Sequence, residues 1–284
     1  MNRVLSEMRR SPLLWLLLFV PVALAGEHIW PERHTLLFLL SVLAIVPLAS
    51  LLSRATESVA ERTGDAVGGL LNATLGNLTE LVIALSALQA GQYLLVKASI
   101  AGAIVTNSLF MLGGSFLIGG LRHHEQQFNR VSARVQSSLL FLATVGLLVP
   151  SLVAQADGRE AVTEALSLGL AVLLIIAYGL SLVFSLKTHK EAFVSVGHGE
   201  ASHDPWPIKV ALFVAPLLVV LSYVIGPAPM SLQFWPGAIA MMLIATTAAT
   251  LMTNGGRSAW FVGVMILMVY GIFALTLFLL PPAA

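Results

Sequence analysis

Residues Val67–Leu88 read VGGLLNATLGNLTELVIALSAL, an apolar stretch interrupted by a single ionisable side chain, Glu80. A run of ~20 mostly apolar residues is the length that crosses the hydrocarbon core of a bilayer. An acid well inside such a run costs roughly 3 kcal/mol to insert, so it is read by default as a functional group. On a helix Asn72, Gly76 and Glu80 follow at four-residue steps on one face, with Asn77 three residues before Glu80 and Thr79 beside it. Gly68, Gly69 and Gly76 remove bulk, which lets a second helix or an ion come close.

The rest of the chain repeats the pattern without the acid. Nine stretches qualify as spans, at about 13–30, 35–53, 67–88, 94–120, 135–153, 161–186, 208–226, 234–253 and 258–280. Of the 284 residues 57% are hydrophobic and 10% charged, and mean hydropathy is +0.90. An ordinary soluble domain carries about 25% charged residues. The expected fold is therefore an all-α integral membrane protein of about nine transmembrane helices; the alternating ~10-residue pattern of an outer-membrane barrel is absent. A net charge of +1 argues against a nucleic-acid partner, and the lack of cysteine excludes disulfides and thiol chemistry. The basic segment Met1–Arg10 and the apolar run after it have the outline of a signal peptide. Pro12, Pro21 and the immediate succession of further apolar runs favour a first span instead.

Lysine and arginine orient the spans. With the N-terminus in the cytoplasm, Arg3, Arg9, Arg10, Arg54, Arg62, Arg122, Arg130, Arg134, Lys187, Lys190, Lys209 and Arg257 fall inside. Only Arg33, Lys97 and Arg159 fall outside, where the C-terminus also lies. The expected location is a bacterial-type inner membrane. The long cytoplasmic loop at about 187–209 carries His189, His198, His203, Glu191, Glu200 and Asp204. It reads as a solvated linker, with a regulatory metal site as the alternative, and His123 and His124 read as an interfacial loop.

Lys97, Glu164 and Lys209 sit near span ends, where long side chains reach the interface. Glu80 does not. The following span places Thr106 and Asn107 at its midpoint beside Ala101, Gly102 and Ala103. Carboxylate, amide and hydroxyl oxygens are ligands for a hard cation, and no soft or imidazole ligand joins them. Small residues and asparagines also simply pack and bond helices. That reading suits Asn72 or Thr79 alone better than Glu80, Asn77 and Asn107 together. With no His-Glu motif and no paired carboxylates within the spans, an enzyme is not expected.

The segment Thr56–Arg62 (TESVAER) followed by Gly68–Leu81 (GGLLNATLGNLTEL) resembles the first conserved repeat of Ca²⁺/H⁺ antiporters, the CAX branch of the cation/Ca²⁺ exchangers. Val96–Gly102, Asn107, Glu125–Asn129, Ala211–Leu218 and Asn254–Ser258 also fit that family. The resemblance implies a calcium/proton antiporter exporting cytosolic Ca²⁺ in exchange for H⁺. It uses no cofactor; Ca²⁺ and H⁺ are substrates, and the bilayer is the surrounding partner. Glu80 would be the carboxylate for which Ca²⁺ and H⁺ compete, with Asn77 and Asn107 as ligands and Thr79 and Thr106 beside them. Glu57 and Glu61 would attract cations at the cytoplasmic entrance, or are ordinary helix-end charges. Burial favours a neutral carboxyl and a nearby cation an ionised one, so one site holds either ion. Oxygen ligands with one carboxylate suit several cations; only the resemblance selects Ca²⁺.

The family is built from two inverted halves, each contributing an acidic helix. Here no second Gly-Asn-x-x-Glu exists, and no Asp or Glu follows Asp204. Pro205–Lys209 runs directly into Val210–Pro216, as if about two helices of ~20 residues each were missing. Losing two crossings preserves the sidedness of the later spans. The expected organisation is residues 1–190 as an N-terminal span plus first half, 191–209 as a loop, and 210–284 as the remnant of the second half. A homo-oligomer supplying the second carboxylate, a shortened transport-inactive homologue or partner subunit, and a passive cation channel remain as alternatives.

Overall fold

The computed structural model describes residues 12–63, 78–154, 160–189 and 210–280. They form two compact units, one ending at Thr79 and the other beginning at Glu80. The expected divisions at 190 and 210 fall at the edges of a stretch outside the described residues.

The first unit is a helical hairpin. A 3₁₀ turn, Pro12–Leu18, leads into α1 (Phe19–Ile29), which packs along α2 (His34–Thr63). Gly26 is where they close: a Cβ there would stand 3.2 Å from Leu37 Cδ2. Glu57 and Glu61 fall one turn apart near the end of α2.

The second unit takes up α3 (Leu78–Gln89) from Glu80 onward. Next come α4 (Tyr93–Val105), a π-helical turn (Thr106–Met111) and α5 (Leu112–His123), which together form one long span. After the short strand β1 (Glu125–Gln127) come α6 (Arg130–Val153) and α7 (Glu160–Val183). A buried π turn, Val210–Val214, runs into α8 (Ala215–Ile225), with Pro216 in the first turn of α8. The chain ends with α9 (Pro236–Thr253), β2 (Arg257–Ala259) and α10 (Trp260–Leu279). Among the described residues six helices are long and apolar enough to cross a membrane, and three shorter apolar ones complete the nine stretches read from sequence.

Packing in this unit follows its small residues. The most extensive helix pair is α5 on α10. A Cβ on Gly263 would run into the backbone of Gly113 and Leu117, and one on Gly120 into the backbone of Trp260. Only hydrogen fits at that crossing. Elsewhere α9 lies against α6 and α4, α8 lies against α7, and the Val210–Val214 turn touches α4, α6 and α7.

Two features close the ends. At one end β1 pairs antiparallel with β2, Gln126 opposite Ser258, and Ser258 Oγ donates to Gln126 Oε1 at 3.2 Å. Phe128 N donates to Gly256 O at 3.1 Å, with Gly256 at φ +71°, and Arg130 Nε to Asn254 O at 2.9 Å. Asn129 caps α6, accepting from Val131 N and Ser132 N. The Glu125–Asn129 and Asn254–Ser258 motifs are thus one structural unit. Their loops meet, so the chain between them, four helices among the described residues, returns to the same end.

At the other end the non-helical segment 226–235 is inserted among helices. Met230, Leu232 and Phe234 are buried at alternate positions, as extended chain requires. Their N–H groups donate to Ser222, Ser167 and Ser151 Oγ at 2.8, 3.0 and 2.9 Å, one serine from each of α8, α7 and α6. Irregular backbone among spanning helices survives when protein groups satisfy it. Lys97 is half-buried here, its Nζ donating to Ser231 Oγ at 3.3 Å.

Candidate ion-binding site

Glu80 stands in the first described turn of α3, half-buried, with Thr79 beside it. Its Oε2 is buried and has no hydrogen-bond partner among the described residues. A carboxylate oxygen removed from water without a donor is costly, and a proton or a cation removes the cost. Ala84 and Leu88 carry the opposite end of α3 into the apolar core, so the helix is anchored beyond the acid. Asn72, Gly76 and Asn77, the nearest sequence-predicted companions, lie outside the described residues, as do His198, His203 and the Lys209 side of the junction.

Asn107 and Thr106 are both half-buried in the π-helical turn of the long span. The structure sends them to different places. Asn107 lines a cavity of about 360 Å³ bounded by α5, β1, α6 and α9. Thr106 lines another, of about 380 Å³, between α4, α9 and α10 near Trp235 and Tyr270.

Ser108 escaped the sequence reading. It is 2% exposed, lines the Asn107 cavity, and its Oγ has no hydrogen-bond partner among the described residues. A serine amid Leu, Phe and Met carries no local signal; only the packing around the π turn identifies it. No group of three or more His, Asp or Glu side chains able to hold a metal ion occurs among the described residues.

Residues 33–187, more than half the chain, match the family described as sodium/calcium exchanger protein. The chain belongs to that family. Its similarity to individual exchangers extends further. It is 37% identical over 274 residues to a Ca²⁺/H⁺ antiporter of Aphanothece halophytica, covering 90% of this chain and 69% of that protein. It is 30% identical over 364 residues to a Ca²⁺/H⁺ antiporter of Synechocystis, covering 94% of this chain and 97% of that one. The solved structure of native YfkE superposes with a TM-score of 0.76 at 30% identity, over 92% of this chain and 97% of the other. A second structure, TM-score 0.79, names YfkE a Ca²⁺/H⁺ antiporter. The exchanger-family chain is thus an all-α, multi-pass integral membrane protein, and the motifs around Glu57, Glu80 and Asn107 lie within the matched family region.

Proposed function

We propose that this chain is a calcium/proton antiporter in which Ca²⁺ and H⁺ compete for the Glu80 carboxylate and Ca²⁺ leaves the cytosol. The observation that carries the reading is the buried Glu80 Oε2 without a partner, in a chain whose relatives are named Ca²⁺/H⁺ antiporters. Asn77 and Asn107 supply further oxygens, Thr79 stands next to Glu80 in the chain and Thr106 next to Asn107, although Thr106 lines a separate cavity, and Glu57 and Glu61 draw cations toward the cytoplasmic entrance. The N-terminus is cytoplasmic and the C-terminus outside, as the lysine and arginine bias requires. Everted vesicles containing the protein take up Ca²⁺ when a pH gradient is imposed, and Glu80→Gln abolishes that uptake. Uptake unaffected by the substitution removes Glu80 from the role.

A second reading has its own support. The Synechocystis alignment runs over 364 residues although this chain has 284, and no acid follows Asp204. Both fit a second half that has lost its acidic helix, leaving a shortened homologue or partner subunit that carries no ion alone. Well-folded protein that neither transports nor retains Ca²⁺ selects this reading.

A further inference from the structure

Lys97 stands in the second turn of α4, half-buried, with its Nζ donating to Ser231 Oγ at 3.3 Å. No carboxylate pairs with it among the described residues. A neutral hydroxyl offsets only part of the cost of withdrawing an ammonium from water; a counter-charge is needed for the rest. Lys97 is also one of only three lysines and arginines on the minority side of the nine-span topology, so the charge bias that orients the chain does not account for it.

Ser231 belongs to the extended segment whose Met230, Leu232 and Phe234 turn into the core. The alternate residues Ser231, Gln233 and Trp235 share its other face, half-buried, exposed and half-buried in turn. That face leads from Ser231, at Lys97, to Trp235, which lines the cavity of about 380 Å³ between α4, α9 and α10. On α4 the same cavity begins at Ala98, the residue after Lys97. Two stretches of chain thus carry the ammonium to one end of this cavity.

Apart from Thr106, Trp235 and Tyr270, the described residues around the cavity are apolar. From Ala98 to Thr106 it follows α4 for eight residues, about 12 Å of axis. That is close to the depth of one leaflet, half of a hydrocarbon core of ~30 Å. It is open toward the bilayer: Gly102 is exposed and a Cβ there would meet nothing within 4 Å, and Ala274 on the α10 wall is exposed too. Tryptophan is a residue of the headgroup level, which suits Trp235 at the Lys97 end. Hydrocarbon alone gives Lys97 no counter-charge, and phosphate alone leaves the groove unfilled. A phosphodiester with an acyl chain matches both.

We infer that Lys97, Ser231 and Gln233 hold the phosphate of an anionic phospholipid whose acyl chain lies in the groove between α4, α9 and α10. Lys97 supplies the counter-charge, and the serine hydroxyl and glutamine amide donate to phosphate oxygens. The bound lipid ties the 226–235 segment to α4. This site does not depend on the exchange reaction.

Native mass spectrometry of the full chain, incubated in detergent with phosphatidylglycerol or with phosphatidylcholine of the same chains, tests the site. One phosphatidylglycerol per chain is expected to be retained at concentrations where phosphatidylcholine is not. Lys97→Gln weakens that retention about tenfold and Lys97→Arg preserves it. Gly102→Leu, which fills the groove from a position free of collision, weakens it as well. Gly179→Leu on α7, whose Cβ also meets nothing within 4 Å, leaves it unchanged. Retention of phosphatidylglycerol by Lys97→Gln equal to the parent's overturns the headgroup site, and equal retention by Gly102→Leu overturns the groove. Displacement of the lipid by millimolar inorganic phosphate marks a site for free phosphate and overturns the lipid assignment. Should either variant fail to fold, the parent chain decides: equal retention of the two lipids overturns the inference.

Discussion

At the scale of single residues, Glu80 stood out from sequence because one acid in an apolar span has no bland explanation. The structure adds that one of its oxygens is both out of water and unpartnered. Asn107 was legible through its neighbours; Ser108 was not, since serine is common where helices pack. Replacing Asn107 by alanine is expected to raise the KM for Ca²⁺ uptake about tenfold, equivalent to ~1.4 kcal/mol. A KM indistinguishable from the parent's takes Asn107 out of the cation's path. Serine 167 is a structural counterpart: Ser167→Ala leaves the buried Leu232 N–H without its acceptor and costs about 1–3 kcal/mol. Thermal unfolding in detergent measures this, and an unshifted transition contradicts the role assigned to that hydroxyl.

Secondary-structure elements were largely predictable, because hydropathy and length alone define a span. Each of the nine apolar stretches contains a helix among the described residues, although of 67–88 only the part from Leu78 on is described. The departures have physical causes. A π turn leaves no mark on hydropathy, and the alternation at Met230–Phe234 in segment 226–235 is too short to show that serines from three helices satisfy its backbone. The α5–α10 crossing was foreseeable only in kind: glycines in spans predict close approach without naming the partner. Gly263→Ala places a methyl group against the Gly113 and Leu117 backbone, a collision of the sort that costs roughly 1–3 kcal/mol. The same unfolding assay checks it, with Gly271→Ala, whose Cβ meets nothing within 4 Å, as the tolerated control. Equal behaviour of the two variants contradicts the crossing.

For the molecule as a whole, charge distribution and loop pairing bear on which loops share an end. Twelve of the 15 lysines and arginines fall on one side in the nine-span topology. The β1–β2 pairing independently brings the loops after α5 and α9 to a common end. Partners 132 residues apart cannot be read from local sequence, and so that ribbon was invisible before the structure. Gln126→Cys with Ser258→Cys, introduced into the cysteine-free chain, is expected to form a disulfide under mild oxidation. Absence of that cross-link separates the two loops.

Coupled counterflow in purified proteoliposomes tests the central claim most directly. Ca²⁺ added outside drives proton release, read by a pH-sensitive dye, from vesicles containing the parent chain; Glu80→Gln, folded to the same thermal stability, is expected to show neither Ca²⁺ entry nor proton release. Undiminished, proton-coupled Ca²⁺ entry in Glu80→Gln contradicts the assignment of that carboxylate as the place where the two ions compete.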